Sequence, residues 1–258
     1  MIFYTDLTVI MKEWFEDWFN TEEYRNVYKH RNENDAKELV ELILENTDIP
    51  RDGKVLDLAC GPGRHSILFA QKGYKVSAVD LSKNLLKVAL DSAVKSNVKV
   101  NFIEADLRNL CIKPKFDLVV NLFTSFGYFE DDKENFKLFG RAFYFLNDNG
   151  YFVLDFFNKD YLQKNIVAKS EGYIDRSRII QERKIEGERV IKKITILNNG
   201  NEKHFMESVR MYSKDELITE IEKRGFKVEK VFGGVRGRTF DLETSQRIII
   251  IARKESFL

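Results

Sequence analysis

The stretch from Lys54 to Ser66, Lys-Val-Leu-Asp-Leu-Ala-Cys-Gly-Pro-Gly-Arg-His-Ser, constrains this chain more than any other. It begins with a short apolar run, Val55, Leu56, Leu58 and Ala59, of the length and composition of a buried parallel strand. Gly61-Pro62-Gly63 comes next, a backbone that turns sharply and brings no side chain near a ligand. Ser66, Ile67, Leu68, Phe69 and Ala70 then read as the first turns of a helix. Strand, glycine turn and helix together present free backbone N–H groups at a helix N-terminus. Taken alone, such a turn serves a plain structural βα connection equally well.

A second strand narrows the choice. Lys75-Val-Ser-Ala-Val-Asp80 is apolar and ends in an acid, nineteen positions beyond Gly61. In a βαβ unit that acid sits at the tip of the second strand, where a carboxylate accepts hydrogen bonds from two ribose hydroxyls. Ser82 supplies the cap of the next helix, which leaves Asp80 for a ligand. A dinucleotide fingerprint requires a third glycine three positions after the second, and here Ser66 stands there. A phosphate-gripping Lys-Ser or Lys-Thr pair is also absent from the turn. The pattern points to an adenosine without phosphates, and S-adenosylmethionine fits that description.

With these blocks the chain resembles the class I S-adenosylmethionine-dependent methyltransferases. The resemblance rests on Val55 to Gly63, Val79-Asp80-Leu81-Ser82, Glu104-Ala105-Asp106-Leu107 and Phe116-Asp117-Leu118-Val119-Val120-Asn121, which match the family's cofactor motifs in order and spacing. It implies an α/β fold: a Rossmann-like doubly wound seven-stranded methyltransferase sheet with the last strand antiparallel, plus an antiparallel β insertion after strand five. It implies that Asp57, Ala59, Gly61 and Gly63 line the methionine and ribose side of the cofactor. By the same carry-over Asp80 holds the ribose hydroxyls with Leu81 beside it, Asp106 and Leu107 meet the adenine edge, and Asn121 stands at the strand-four rim. Members of this family commonly close the cofactor with an N-terminal segment. Tyr24 or Tyr28 would then cover it, and Arg31 would pair with its methionine carboxylate, a group that suits a bidentate guanidinium.

The balance of 42 basic against 41 acidic residues, a net charge of +1, offers no broad field for nucleic acid or a membrane surface. Cys60 and Cys111 are too few for a disulfide framework, and Cys60 reads as reduced and packed. Acidic and basic residues interrupt Met1 to Phe19, so neither a signal peptide nor a membrane span is expected, and a cytoplasmic location is.

Along the chain, Trp14, Phe15, Trp18 and Phe19 share one face of an amphipathic helix, which either packs on the core, forms a homodimer surface or meets substrate. Ala36, Leu39, Val40, Ile43 and Leu44 form a helical stripe that starts at Asn34 or Asp35. The core then alternates: a helix over Ser82 to Ser96, a strand over Val98 to Glu104, a strand over Phe116 to Leu122, a helix over Phe136 to Leu146. A turn at Asn147 to Gly150 precedes a strand over Tyr151 to Phe157. Ser213-Lys-Asp-Glu216 is a capping box that opens a helix ended by Gly225, and Phe226 to Phe232 and Arg247 to Ala252 supply the last strands. Three further strands are expected over Arg178 to Ile185, Arg189 to Leu197 and Lys203 to Tyr212, with Asn199-Gly200 as a hairpin turn. The expected division is a helical cap or lid over 1–50, a cofactor-binding core over 51–157 and 213–258, and an antiparallel β insertion over 158–212. That insertion either decorates the fold, roofs the substrate pocket or dimerises.

Methyl transfer is an in-line displacement at a sulfonium methyl, so alignment of nucleophile, carbon and sulfur supplies much of the rate. A base is required only where the nucleophile arrives protonated. Phe123 to Phe129, directly after strand four, is the best-placed cluster of rings and hydroxyls, with Ser125 and Tyr128 as candidates to touch substrate. His30, His65 and His204 are scattered, and no metal-ligand spacing appears. Asp155-Phe-Phe-Asn158-Lys-Asp160-Tyr161 resembles the strand-five exit of glycine N-methyltransferase and its relatives, and the Asn121…Ser125-Phe126 block and Arg210-Met-Tyr212 are similar as well. In that family a strand-five arginine grips the substrate carboxylate; Phe157 stands in its place here, with Arg176, Arg178 and Arg210 as candidate substitutes. The expected acceptor is a nitrogen or oxygen of a small molecule. The alternative is methylation of RNA or protein, against which stand the neutral charge and the lack of an Asn-Pro-Pro-aromatic loop after strand four.

Overall fold

The computed structural model describes residues 13–28, 33–113 and 115–255, and the expected role of Arg31 lies outside them. Two short helices open the described chain, α1 (Trp14–Trp18) and α2 (Glu22–Val27), followed by α3 (Glu33–Glu45). Helix α2 is absent from the sequence-based expectation; Thr21 caps it by accepting the Tyr24 N–H at 3.1 Å. The alternating core comprises β1 (Lys54–Leu58), α4 (Arg64–Gln71), β2 (Lys75–Asp80), α5 (Lys83–Lys95), β3 (Val100–Glu104), β4 (Phe116–Asn121), α6 (Asp132–Phe145) and β5 (Leu146–Phe157). Beyond it lie α7 (Lys159–Asn165), β6 (Lys169–Ile174), β7 (Ser177–Glu186), β8 (Arg189–Asn198), β9 (Asn201–Arg210), α8 (Lys214–Glu222), β10 (Phe226–Phe232) and β11 (Arg247–Lys254).

Seven strands form one sheet in the order β10-β11-β5-β4-β1-β2-β3, with β11 antiparallel to both neighbours and the β1, β2, β3, β4 and β5 pairings parallel. The alternation along the central strands divides the core between its two faces. Leu56, Leu58, Val119, Phe152, Leu154 and Ile250 pack under α6 and α8, whereas Val55, Leu118, Val120, Val153 and Ile251 pack under α3 and α4. Helices on both faces are what allow these strands to be almost entirely buried. The chain reverses direction of build-up between β1 and β4, the switch point of a doubly wound sheet.

Several elements fall where expected. Ser82 caps α5 through the Leu85 N–H, and the Ser213–Glu216 capping box makes both of its hydrogen bonds, at 2.7 and 3.2 Å. The Asn199-Gly200 turn joins β8 to β9, with both residues at positive φ. Helix α6 starts one turn earlier than expected, because Asp131 caps it, and the expected turn at 147–150 is taken into β5 across a register shift opposite Phe116.

The remaining strands form a second, antiparallel sheet in the order β6-β7-β8-β9, one strand more than expected. The extra strand β6 is a polar edge whose only sheet neighbour is β7, so it carries little hydrophobic patterning. The sheet's apolar face packs on the N-terminal helices: Trp18, 1% exposed, lies 4.3 Å from Phe205 between ring centroids, over Ile179, Ile194 and Ile196. Arg189 fastens this sheet to the core by donating to the carbonyls of Phe129 at 3.0 Å and Tyr128 at 3.1 Å. Gly127 meets β9 so closely that a Cβ there would lie 2.8 Å from the Arg210 carbonyl oxygen. No helix among the described residues is long and apolar enough to cross a membrane.

Candidate active site

Two adjoining cavities open where the β1, β2 and β4 strands end. The first runs past Asp80, Leu81, Ala105, Asp106, Leu107 and Arg108 to Phe129 and Leu138. The second is floored by Asp57, Cys60, Pro62, Arg64 and His65 and reaches Glu207 and Val209 of β9. Ala59, Gly61, Ser125, Tyr24, Phe19 and Tyr128 border both. The two spaces are therefore halves of one cleft with aromatic rings at its waist.

The backbone at the floor is unusual. Ala59 and Gly61 have φ of 59° and 56°, and a Cβ built on Gly61 would meet nothing within 4 Å. Gly61 therefore leaves its space open to whatever fills the cleft. Gly63 differs: its Cβ would lie 2.8 Å from the Ala89 Cβ and 3.3 Å from the Phe102 ring, and it borders neither cavity. Its lack of a side chain lets α4 pack on α5.

Asp80, 8% exposed, holds the floor in shape. One carboxylate oxygen accepts the Gly61 N–H at 2.7 Å and the other the Ser82 N–H at 2.8 Å. Each oxygen keeps one further lone-pair direction for a ligand. Burial pushes its carboxyl up, against these backbone bonds. Asp57 is also buried and accepts the Ser66 hydroxyl at 2.5 Å. Burial pushes Asp57 up to about 7 against that hydrogen bond, and the neighbouring Asp80 charge adds to the rise. Asp106 lines the first cavity but both its oxygens face Arg108, whose guanidinium also covers the Phe129 ring at 4.6 Å.

The loop after β4 carries strain. Phe123 and Thr124, consecutive residues with side chains, have φ of 62° and 61°. Left-handed conformations of this kind persist only where surrounding contacts over-determine them, and they cluster at functional sites. Here Asp155, 1% exposed, accepts the Phe123 N–H at 2.9 Å while its own carbonyl accepts the Thr124 N–H at 3.0 Å. Arg247 completes the bracket, donating to the Asp155 carboxylate at 2.5 Å and to the Thr124 hydroxyl at 3.1 Å. Asn121 belongs to the same bracket and borders neither cavity: its amide donates to the carbonyls of Leu58 at 2.9 Å and Ser125 at 3.2 Å. Its amide thus ties β1 to the loop. Ser125 and Tyr128 do border both cavities, with hydroxyls donated to the Leu122 and Thr124 carbonyls at 3.0 and 2.9 Å.

Tyr24 and Tyr28 reach the cleft from α2 and its end, within an aromatic group that includes Trp14, Phe19 and Tyr128. The Trp14 indole N–H is buried and has no partner among the described residues. Three residues that the sequence did not mark also stand at the second cavity. His65 is 6% exposed, and burial beside the Arg64 and Arg247 charges lowers its pKa to about 3, so it is a neutral ring at neutral pH. Arg64 covers the Phe123 ring at 5.2 Å. Glu207 accepts the Trp18 indole N–H at 2.7 Å and the Tyr28 hydroxyl at 2.5 Å. Phe157 borders neither cavity and stacks on Phe156, with centroids 4.2 Å apart.

Residues 55–150 match a family model described as a methyltransferase domain. Over 108 residues the chain is 33% identical to YqeM of Bacillus subtilis (strain 168), a methyltransferase by name alone, with 42% of this chain and 43% of that protein matched. Over 120 residues it is 32% identical to a glycine/sarcosine N-methyltransferase of Parasynechococcus marenigrum (strain WH8102), covering 46% of this chain and 43% of that one. The chain thus matches less than half the length of either curated relative. An S-adenosylmethionine-dependent methyltransferase from Clostridium acetobutylicum ATCC 824 superposes with a TM-score of 0.78 over 91% of this chain and 97% of its own, at 21% identity. That likeness concerns the fold.

Proposed function

We propose that this chain is a class I S-adenosylmethionine-dependent methyltransferase that binds S-adenosylmethionine in the cleft and methylates a nitrogen or oxygen of a small molecule, a reading supported by its methyltransferase domain and its fold. The observation that carries the reading is the floor of the cleft: Gly61 leaves its space empty while Asp80 stands over it. Asp80 and Leu81 would hold the cofactor's ribose, Asp106 and Leu107 its adenine, and Asp57, Ala59 and Gly61 its methionine side. The cofactor supplies a methyl group activated on a sulfonium. What the chain adds is positioning, exclusion of water by the aromatic waist and, through Tyr24, Tyr28 and Tyr128, electron-rich rings beside a cation. The N-terminal helices act as a lid and the β6-β9 sheet as a roof. A roofed second cavity favours a small acceptor over RNA or protein, whose chain would have to thread beneath β9. Calorimetry with S-adenosylhomocysteine, NAD and ATP tests the reading; binding of either nucleotide in preference to S-adenosylhomocysteine would refute it.

The raised pKa of Asp57 gives the site a pH signature. The free protein holds a proton on Asp57 below about pH 7. A sulfonium or ammonium beside it favours the carboxylate, so ligand binding should release a proton between pH 5 and 7. Affinity should therefore rise with pH up to about 7 and then level off. For the unliganded fold the same shift contributes stability present below the unfolded value, about pH 4, and lost as pH rises through about 7. Calorimetry at pH 6 in buffers of different ionisation enthalpy counts the proton, and a count of zero would place the ligand's charge away from Asp57.

Glycine should be a poor acceptor. An amino acid must be held by its carboxylate so that its amine faces the methyl group, and an arginine fork does this best. Phe157 offers none, Arg178 pairs with Glu171, and Arg210 is occupied by Glu188 and Asp132. Neither these two nor Arg176 borders the second cavity. Loss of such a clamp costs about 2–4 kcal/mol in transition-state binding, roughly 30- to 1000-fold in rate. Saturable S-adenosylhomocysteine release at millimolar glycine would show that Arg64 or a residue outside the described ones grips the carboxylate.

A further inference from the structure

We infer that Glu207, on the roof strand β9, selects an acceptor that arrives as a cationic amine; the inference rests on the methyltransferase reading and deepens it. Glu207 faces the second cavity from above, opposite the floor formed by Asp57 and Gly61. Its side chain is 16% exposed, so its carboxylate acts in a largely dry setting where charge counts for more than at the surface. One oxygen is fixed, accepting from the Trp18 indole and the Tyr28 hydroxyl. The other is ion-paired with the Lys192 ammonium at 3.4 Å. That oxygen retains the capacity to accept an N–H from a ligand.

The surroundings point to the same chemistry. Trp14, Phe19, Tyr24, Tyr28 and Tyr128 border the same cavity, their rings in contact at centroid separations of 4.9 to 5.7 Å. Aromatic faces with a carboxylate at one end are how proteins recognise an organic ammonium. The imidazole of His65 is neutral; of the cations nearby, Lys192 is paired with Glu207, and Arg64, also in the lining, lies over the Phe123 ring. A neutral hydroxyl acceptor would gain one charge-assisted hydrogen bond from Glu207 but no ion pair, and so less than an ammonium gains. Transfer requires the nitrogen lone pair, so one N–H proton passes to the Glu207 carboxylate. The N–C bond then forms as the S–C bond breaks with its electron pair left on sulfur. The products are an N-methylammonium and a neutral thioether.

The test measures binding and needs no known acceptor. Sinefungin carries an ammonium where S-adenosylmethionine carries its sulfonium methyl, and so points a cation at the acceptor position. Calorimetry should give sinefungin at least tenfold tighter than S-adenosylhomocysteine in the unmodified protein. In Glu207→Gln that ratio should fall to about one, while the affinity for S-adenosylhomocysteine stays within threefold. An unchanged ratio in a folded Glu207→Gln overturns the inference. A second measurement uses the unmodified protein, saturated with S-adenosylhomocysteine, and titrates benzylamine against benzyl alcohol at pH 7. Benzylamine should bind at least tenfold tighter, and any smaller preference overturns the inference. Failure of S-adenosylhomocysteine itself to bind would instead overturn the methyltransferase reading.

Discussion

Asp155→Ala is expected to lower stability by about 3 kcal/mol, the cost of stranding one member of a buried ion pair. The Arg247 guanidinium, 23% exposed, loses its charge partner, and the Phe123 N–H loses its acceptor. Phe123 and Thr124 would then hold two left-handed conformations with less to enforce them, each worth about 1–2 kcal/mol of strain. The loop should relax, and Ser125 and Tyr128 should leave the waist of the cleft with it. Urea denaturation measures the first effect, and hydrogen exchange at residues 122–128 the second. The control is Asp155→Ala combined with Arg247→Met, which removes both charges. It should recover part of the loss, because the cost of Asp155→Ala lies mainly in the charge left behind. Equal destabilisation in single and double variants would mean that the ion pair is incidental.

The sequence disclosed those parts of the molecule whose causes are local. A strand with a continuous apolar run, a glycine turn and a capped helix each depend on residues within about four positions, so β1, α4, the Ser82 cap and the Ser213–Glu216 box were legible. The acid at the end of β2 was legible because βαβ spacing fixes where it lands. Strand β6 was not, since Lys169-Ser-Glu-Gly-Tyr-Ile has neither alternation nor a buried face and is a strand only because β7 lies beside it. Helices α2 and α7 are too short for a periodic stripe; α2 buries Val27 alone and α7 buries nothing.

The site divides along the same line. The cofactor blocks could be named in advance, but the direction in which Gly63 and Asn121 face is not given by spacing. Gly63 faces Ala89 and Phe102, and Asn121 turns into the β1–β4 seam. Glu207 looked like any charged residue on a strand. It acquires meaning only when β9 passes over the cleft and Trp18, Tyr28 and Lys192 gather around it from 15 to 189 positions away. Asp155 is similar: its block was noticed, but its work of holding two strained residues is visible only with Arg247 of the last strand alongside. The proposed acceptor place is thus built by long-range contacts on a floor built by local ones.

Asp80→Ala should weaken S-adenosylhomocysteine binding by about 2–4 kcal/mol, roughly 30- to 1000-fold in Kd, because charge-assisted bonds to two hydroxyls disappear. The structure adds a second consequence. The carboxylate also accepts the Gly61 and Ser82 N–H groups, so its removal leaves two backbone donors without their acceptor at the floor of the cleft. Each such loss costs about 1–3 kcal/mol where water cannot replace the bond. Against it stands the relief of removing a buried acid whose charged form burial disfavours. The net change in the free protein's stability should therefore be smaller than the change in binding. Asp80→Asn separates the two: one amide oxygen keeps a backbone N–H, while the charge and the second acceptor are lost. Its binding should fall almost as far as that of Asp80→Ala, with most of the stability retained. Asp106→Asn should cost less than either, because an amide oxygen remains for the adenine edge and Arg108 fixes its position. Calorimetry and urea denaturation on the same three variants give both numbers. An Asp80→Ala protein that folds and binds S-adenosylhomocysteine with unchanged affinity would move the cofactor out of this cleft.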